Sequence, residues 1–347
     1  MRKLSFLFSV LLVTVIAGAC FGGPAPPPPD PGPHRDVVMF GDSNGWGIGC
    51  YLGHEGIAGV ATAPLPCNPQ PDFSTDNEAL GACTIAGGQT LLYNRQVIAP
   101  SCANWRSAWP GILDERTPKL VVLSTGGWEI NDRWINFPPG CSTADAYNCP
   151  APDYQWGSSN PNDPVLLASK NHYQGELRDA IALFRSKGAK VLVTSSPYYD
   201  PHEAQVPGLS DWWYERYPDD GGAGDPARND WIKPNVNLSY RPSERKTDQF
   251  NVAVKEVVDQ AAANDPVPGS VQFFDLWKLV DPFNPGTQDN EYNDFSCAPP
   301  NQELWPQTSC PNNMISQRES DHGHFTGDAY EQVIMPFMFQ RVRGMLS

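Results

Sequence analysis

Four short apolar runs, separated by long stretches of helical periodicity, constrain the fold of this chain more than any other feature. The runs cover residues 36–40, 119–125, 190–196 and 270–276, and they are continuous and rich in β-branched residues. Such runs are typical of parallel strands that are buried on both faces. Apolar residues recur at helical spacing over 165–187, 243–263 and 327–345. The alternation predicts an α/β fold in which helices flank a parallel sheet.

The sequence divides into three predicted segments: a signal peptide over 1–19, a proline-rich tether over 20–35 and one domain over 36–347. Residues 4–18 are almost entirely apolar and follow Arg2 and Lys3, but they are fewer than the ~20 that a spanning helix needs. The density of proline in the tether favours an extended polyproline conformation. No internal repeat or second composition divides the remainder of the chain.

Cys20 follows Ala17-Gly18-Ala19, and these small residues resemble the cleavage site of a bacterial lipoprotein signal. The alternative is an ordinary signal peptide that is cut after Ala19. We therefore expect an exported protein that is a cell-envelope lipoprotein with a membrane anchor at Cys20. If Cys20 is not lipidated, the protein is expected to be secreted.

The cysteine count agrees with export. The chain has nine cysteines, and setting Cys20 aside leaves eight, enough for four disulfides. Pairing of neighbours is favoured because each pair closes a short loop rich in Pro, Asn or Gly; these pairs are Cys50–Cys67, Cys83–Cys102, Cys141–Cys149 and Cys297–Cys310. Each bridge would contribute about 2 to 4 kcal/mol. A zinc site is the rival interpretation, but no pair has the C-x-x-C spacing that would support it.

The charge of the chain excludes one class of partner. The formal net charge is −15, and no block of Lys and Arg interrupts it. Proteins that bind the phosphate backbone of nucleic acids need a concentrated positive surface. We therefore expect no nucleic-acid partner.

Ser43 occupies the turn after the first apolar run, in "VVMFGDSNGWGIG". Ligands of parallel sheets bind beyond the carboxyl ends of the strands, where Ser43 is expected to lie. Free N–H groups and the helix dipole at the start of the next element would stabilise negative charge there. The alternative is that Asp42 or Ser43 merely caps a helix.

A base for Ser43 is offered by "SDHGHFTGDAY", the segment before the last predicted helix. Asp321 and His324 are three residues apart, close enough for the carboxylate to hold Nδ1–H while Nε2 faces outward. Two alternatives remain: His322 and His324 are solvated loop residues, or both join Asp321 in binding a metal.

The blocks "FGDSN" and "DHGHFT" resemble the first and last sequence blocks of the SGNH, or GDSL-type, hydrolase superfamily. The resemblance implies a three-layer α/β/α sandwich with a mostly parallel, flavodoxin-like sheet. It also implies a Ser-His-Asp triad of Ser43 as nucleophile, His324 as base and Asp321 as its orienting acid. The Asp-x-x-His pattern of the family selects His324 over His322.

The resemblance further implies an oxyanion hole with donors from Ser43 and from two other blocks. "NEALGACTIAGG" resembles the block whose glycine donates a backbone N–H, which we assign to Gly81, with Gly87 as the alternative. The third block, "STGGWEINDRW", has Trp128 where most members have Asn. Three groups could complete the hole: Asn131 after a shifted turn, the indole N–H of Trp128, or the backbone alone. The loss of one donor typically costs about 2.7 to 4 kcal/mol.

The altered third block resembles the SGNH domains associated with bacterial envelope O-acyltransferases. Residues 197–240 are crowded with aromatic side chains, among them Trp212 and Trp213. With Trp128, these rings are expected to stack on sugar rings, although they could equally form a satellite core. We expect an exported serine esterase or acyltransferase that acts on O-acyl, preferably O-acetyl, groups of envelope carbohydrate.

Several features of this expectation stay open. Transfer and hydrolysis differ only in whether a sugar hydroxyl or water attacks the acyl-enzyme. The alternative function is that of a non-catalytic carbohydrate-binding lipoprotein with the same fold. We expect a monomer that needs no cofactor and no metal.

Overall fold

The computed structural model describes residues 35–53, 73–91, 97–143, 149–158, 160–197, 242–280, 294–295, 315–316, 325, 327 and 329–347. The strands in these ranges are β1 (Val37–Gly41), β2 (Thr75–Asn77), β3 (Gln89–Leu91), β4 (Val97–Ile98), β5 (Leu120–Ser124), β6 (Arg133–Trp134), β7 (Lys190–Thr194), β8 (Val271–Phe274), β9 (Asp294–Phe295) and β10 (Ile315–Ser316). The α-helices are α1 (Ser43–Gly53), α2 (Trp105–Arg116), α3 (Gly126–Glu129), α4 (Pro164–Ser186), α5 (Pro242–Asn264), α6 (Leu276–Val280) and α7 (Met335–Leu346).

The central sheet has five strands in the order β2-β1-β5-β7-β8, and every neighbouring pair is parallel. Counted along the chain, these strands are arranged 2-1-3-4-5, the order of flavodoxin-like sheets. The predicted fold class is therefore confirmed. Two small antiparallel sheets, β4-β3-β6 and β10-β9, lie outside the central one.

Helices cover both faces of the central sheet. Along β1, the side chains of Val38 and Phe40 belong to one buried cluster and those of Val37 and Met39 to the other, as the period of two in a strand requires. The first cluster includes buried residues of α2, α4 and α5, and the second includes those of α1, α6 and α7. The result is a three-layer sandwich.

The predicted elements agree with the sheet and its longest helices. All four predicted strands are present, and the helices predicted over 165–187 and 243–263 are α4 and α5. The helix predicted over 327–345 differs, because a π-helical segment (Ala329–Ile334) precedes α7. Pro336 is the second residue of α7, directly after the π-helical segment, and it has no N–H to donate to the carbonyl groups of that segment. Within the described ranges, no helix is both long and apolar enough to cross a bilayer.

Two of the four predicted disulfides are confirmed. Cys83–Cys102 and Cys141–Cys149 are bonded, with Cα atoms 4.8 and 5.6 Å apart. Cys50 is also disulfide-bonded, but its predicted partner Cys67 lies outside the described residues. The Cys297–Cys310 prediction, the signal peptide, Cys20 and nearly all of the tether lie outside them as well.

Candidate active site

The carboxyl ends of β1 and β5, two adjacent parallel strands, lie side by side, and we name the space beyond these ends the crevice. From β1 the chain runs outward to β2 and then returns to β5 on the other side, so the strand order reverses here. Ligands of open α/β sheets bind at such a reversal. Ser43 begins α1 directly after β1, and Gly126 begins α3 directly after β5.

Asp42, and not Ser43, caps α1. Its Oδ1 accepts hydrogen bonds from the N–H groups of Asn44, at 3.0 Å, and Gly45, at 3.2 Å. Ser43 is therefore the first helical residue, whose N–H has no partner inside the helix. Within the described part of the chain, the half-buried Ser43 hydroxyl makes no hydrogen bond. Of the two residues named in the capping alternative, Asp42 is therefore the cap and Ser43 is not.

Glycine is required where the ends of neighbouring strands approach each other. A Cβ on Gly41 would lie 2.0 Å from the carbonyl oxygen of Ser124, the last residue of β5. A Cβ on Gly126 would lie 2.2 Å from Cβ of Ser196, just beyond β7. The missing side chains bring the turns after three strands close together at one edge of the sheet.

The turn after β5, which we name turn B (residues 126–131), contains Trp128 and Asn131, the two residues predicted as alternative oxyanion donors. Its Gly127 donates its N–H to Asp42 Oδ2 at 2.8 Å, so turn B is bonded to the cap of α1. Asn131 Nδ2 lies 3.5 Å from the Gly127 carbonyl oxygen. The Trp128 side chain is half-buried, and its indole N–H has no hydrogen-bond partner among the described residues. Trp128 is therefore the freer of the two candidate donors.

Gly81 begins a segment that we name loop A (residues 81–88). Just before it, the Leu80 N–H donates to the Gly41 carbonyl at 2.9 Å, which holds the start of loop A beside β1. Gly81 is exposed, and the Cys83–Cys102 disulfide anchors the loop to the segment before α2. The carbonyl of Gly87, the alternative donor residue, accepts from Arg133 Nη1 at 3.3 Å.

Glu129 and Arg133 are two site residues that the sequence analysis missed. Both side chains are fully buried, with Glu129 Oε2 3.6 Å from Arg133 Nη1. Glu129 Oε1 accepts from the N–H groups of Ile85 and Ala86 in loop A. Their i,i+4 spacing was no reliable signal, because it pairs side chains only within one helix, whereas Glu129 ends α3 and Arg133 begins β6.

Burial dominates the electrostatics of this region. It raises the pKa of Glu129 to about 7, although Arg133 and the two loop N–H groups oppose the change. Burial, with the nearby charge of Glu129, also raises the pKa of the Tyr154 and Tyr173 hydroxyls. These groups share a region of low dielectric behind the crevice, in which electrostatic interactions are strong.

The remaining predicted site residues lie outside the described ranges: Asp321, His322, His324, Trp212 and Trp213. Their roles stay predictions. Among the residues that the structure does describe, no three His, Cys, Asp or Glu side chains are placed to hold a metal ion.

The chain was compared with protein families and with characterised proteins. No family model matches it, and no curated protein is significantly similar to it in sequence.

Proposed function

We propose that this protein is an exported serine esterase or acyltransferase that acts on O-acetyl groups of envelope carbohydrate through a Ser43 acyl-enzyme. The supporting observation is the position of Ser43, at the start of α1 beside the reversal of strand order. Because Asp42 caps the helix, the Ser43 hydroxyl is left for chemistry. The resemblance to SGNH hydrolases adds the rest of the triad, His324 and Asp321.

The proposed reaction has two steps. Ser43 Oγ attacks the ester carbonyl and His324 takes its proton, while Asp321 orients the imidazole. The tetrahedral oxyanion is stabilised by the N–H groups of Ser43 and Gly81 and by the indole N–H of Trp128. The sugar alcohol leaves with the proton from His324, and water or a second sugar hydroxyl then attacks the acyl-enzyme.

Export and the carbohydrate substrate rest on separate observations. The Cys83–Cys102 and Cys141–Cys149 disulfides are typical of an oxidising compartment outside the cytoplasm. The half-buried Trp128 ring follows Gly127, which is bonded to the Asp42 cap, and an accessible ring at this turn supports stacking on a sugar. We propose that a lipid on Cys20 anchors the protein. Mass spectrometry of the mature protein tests the anchor: a diacylglyceryl adduct on Cys20 is expected, and an unmodified N-terminus would contradict it.

A second candidate function is glycan binding without turnover. The observation that favours it is the third block, in which Trp128 replaces Asn and the Asn131 amide lies against Gly127. A protein of this kind would bind O-acetylated glycans at the same crevice. It would not form an acyl-enzyme.

Turnover of p-nitrophenyl acetate separates the two candidates. The purified protein is compared with Ser43→Ala, His324→Ala and the control Ser107→Ala, which removes an exposed hydroxyl in α2. We expect a burst of p-nitrophenol from the wild type and the control only. Equal traces from all four proteins would overturn the enzymatic proposal and leave glycan binding.

A further inference from the structure

Both backbone polar groups of Ile85 and Ala86, in the middle of loop A, are bonded to side chains. Their carbonyl oxygens face Trp105 Nε1, at 3.1 Å, and His172 Nε2, at 2.8 Å. Both N–H groups donate to one atom, Oε1 of Glu129 in turn B. Buried backbone groups require such partners. Without the Glu129 carboxylate, the N–H side of loop A would have no acceptor.

Arg133 connects the same two segments through its guanidinium group. In loop A, Nη1 donates to Thr84 Oγ1 at 2.6 Å and to the Gly87 carbonyl at 3.3 Å. In turn B, Nη2 donates to the carbonyl of Trp128, and Nε donates to that of Asn131 at 3.4 Å. A planar guanidinium fixes the directions of all these bonds at once. The spacing between loop A and turn B is thereby defined.

The energetics of the pair indicate a role other than stability. Both side chains are fully buried, so each charge loses its hydration on folding. A well-packed apolar pair of similar volume is often as stabilising as a buried ion pair, or more so. What an apolar pair cannot supply is the set of hydrogen bonds that joins loop A to turn B.

We propose that Glu129 is a positioning residue that acts with Arg133 to hold loop A and turn B at the spacing that the oxyanion hole needs. Loop A begins with Gly81 and turn B contains Trp128, the two donors proposed to join the Ser43 N–H. The inference rests on the proposed function, because it assigns a role within that reaction. Glu129 and Arg133 do not touch the substrate.

The test compares Glu129→Met with a double variant, Glu129→Met with Arg133→Met. Methionine keeps the length of the side chain but removes both the oxygen that accepts from Ile85 and Ala86 and the carboxylate that faces Arg133. The double variant leaves no unpaired buried charge, so it is expected to fold even where the single variant does not. We expect both variants to lower kcat for p-nitrophenyl acetate about 100-fold, because donors are misplaced. KM is expected to stay within about twofold of the wild-type value.

Asp265→Asn is the matched control. Asp265 forms a two-point ion pair with Arg185, at 2.6 and 3.1 Å. The pair lies between the ends of α4 and α5, at the amino-terminal ends of the strands that follow them. Asp265→Asn tests whether breaking an ion pair far from Ser43 is enough to lower kcat. We expect kcat to be unchanged. The unfolding free energy of every variant is measured in parallel.

The outcomes separate this inference from the proposed function. If Ser43→Ala is as active as the wild type, the proposed function fails and the inference fails with it. If Ser43→Ala is inactive but Glu129→Met keeps wild-type kcat, only the inference is overturned. Recovery of wild-type kcat in the double variant would also overturn it, because charge balance alone would then explain the pair. Low kcat with unchanged KM in both variants supports the inference.

Discussion

The turn after β1 and turn B lie side by side at one edge of the sheet, and each uses an acidic residue differently. In the first, Asp42 caps its own helix and also accepts the N–H of Gly127 in turn B. In the second, Glu129 accepts hydrogen bonds from the N–H groups of Ile85 and Ala86 in loop A. Asp42 therefore holds both its own helix and turn B, whereas Glu129 holds loop A.

This difference explains why potentially reactive groups stay available. Asp42 takes the capping role that Ser43 would otherwise have, and Glu129 satisfies N–H groups of loop A. Among the described residues, neither the Ser43 hydroxyl nor the Trp128 indole N–H has a hydrogen-bond partner. Catalytic sites require such preorganised groups, which the fold must position without using their hydrogen-bonding capacity.

The largest effect is expected from adding a methyl group at Gly41 or Gly126, where the turns after β1 and β5 lie against adjacent strands. Gly41→Ala and Gly126→Ala place Cβ 2.0 and 2.2 Å from atoms of adjacent segments. We expect each to lower the unfolding free energy by about 3 kcal/mol or more in chemical denaturation. Gly111→Ala, in α2 with open space around its Cβ, is the control. It is expected to stabilise by up to about 1 kcal/mol, and equal effects at all three positions would contradict this account.

Asp42→Ala tests the turn after β1 together with its bond to turn B. The variant removes a helix cap and leaves the N–H of Gly127 without its carboxylate acceptor. We expect a loss of about 2 to 4 kcal/mol in unfolding free energy. Asp42→Asn retains one acceptor oxygen and should lose less. If both substitutions lower the unfolding free energy equally, the carboxylate does not both cap α1 and bind Gly127.

The pH dependence of stability tests turn B alone. The pKa of Glu129 is raised from 4.5 to about 7, so its contribution to stability is complete below pH 4.5 and is lost as the pH rises through 7. Glu78, whose pKa is also about 7, is present in both the wild type and Glu129→Gln. We expect the wild-type stability advantage over this variant to fall by up to about 3 kcal/mol across that range. An advantage independent of pH in urea denaturation would contradict the burial of Glu129.

The smallest effect is expected from Asn131→Ala. The side chain is half-buried and its one hydrogen bond, to the Gly127 carbonyl, is long at 3.5 Å. We expect a change in unfolding free energy within about 0.5 kcal/mol. Because Trp128 is the favoured donor, kcat should also be nearly unchanged, whereas Trp128→Phe should lower it about 100-fold. The reverse order would assign the donor to Asn131.

Four of the five strands of the central sheet could be predicted from the sequence, but the edge strand β2 and the helix α2 could not. The runs that form β1, β5, β7 and β8 are apolar and long enough to stand out. β2 is only three residues, Thr-Asp-Asn, and carries no such signal. α2 contains Pro110 and Gly111, a pair that usually marks a turn, but burial of Trp105, Trp109 and Leu113 outweighs it.

The site divides in the same way. The position of Ser43 followed from the end of an apolar run, because strand ends are set by local sequence. The contacts of Glu129 could not be predicted, since its partners are backbone N–H groups 43 and 44 residues away. Only the folded arrangement of loop A and turn B brings these groups together.

Mass spectrometry of an acid-quenched reaction with p-nitrophenyl acetate tests the central claim most directly. His324→Ala, run beside the wild type, is the control for attack that needs the base. The account predicts an acetyl group on the peptide that contains Ser43, formed by the wild type within the burst and absent from the control. No adduct, or an adduct on another residue with Ser43 unmodified, would contradict the claim that Ser43 is a nucleophile.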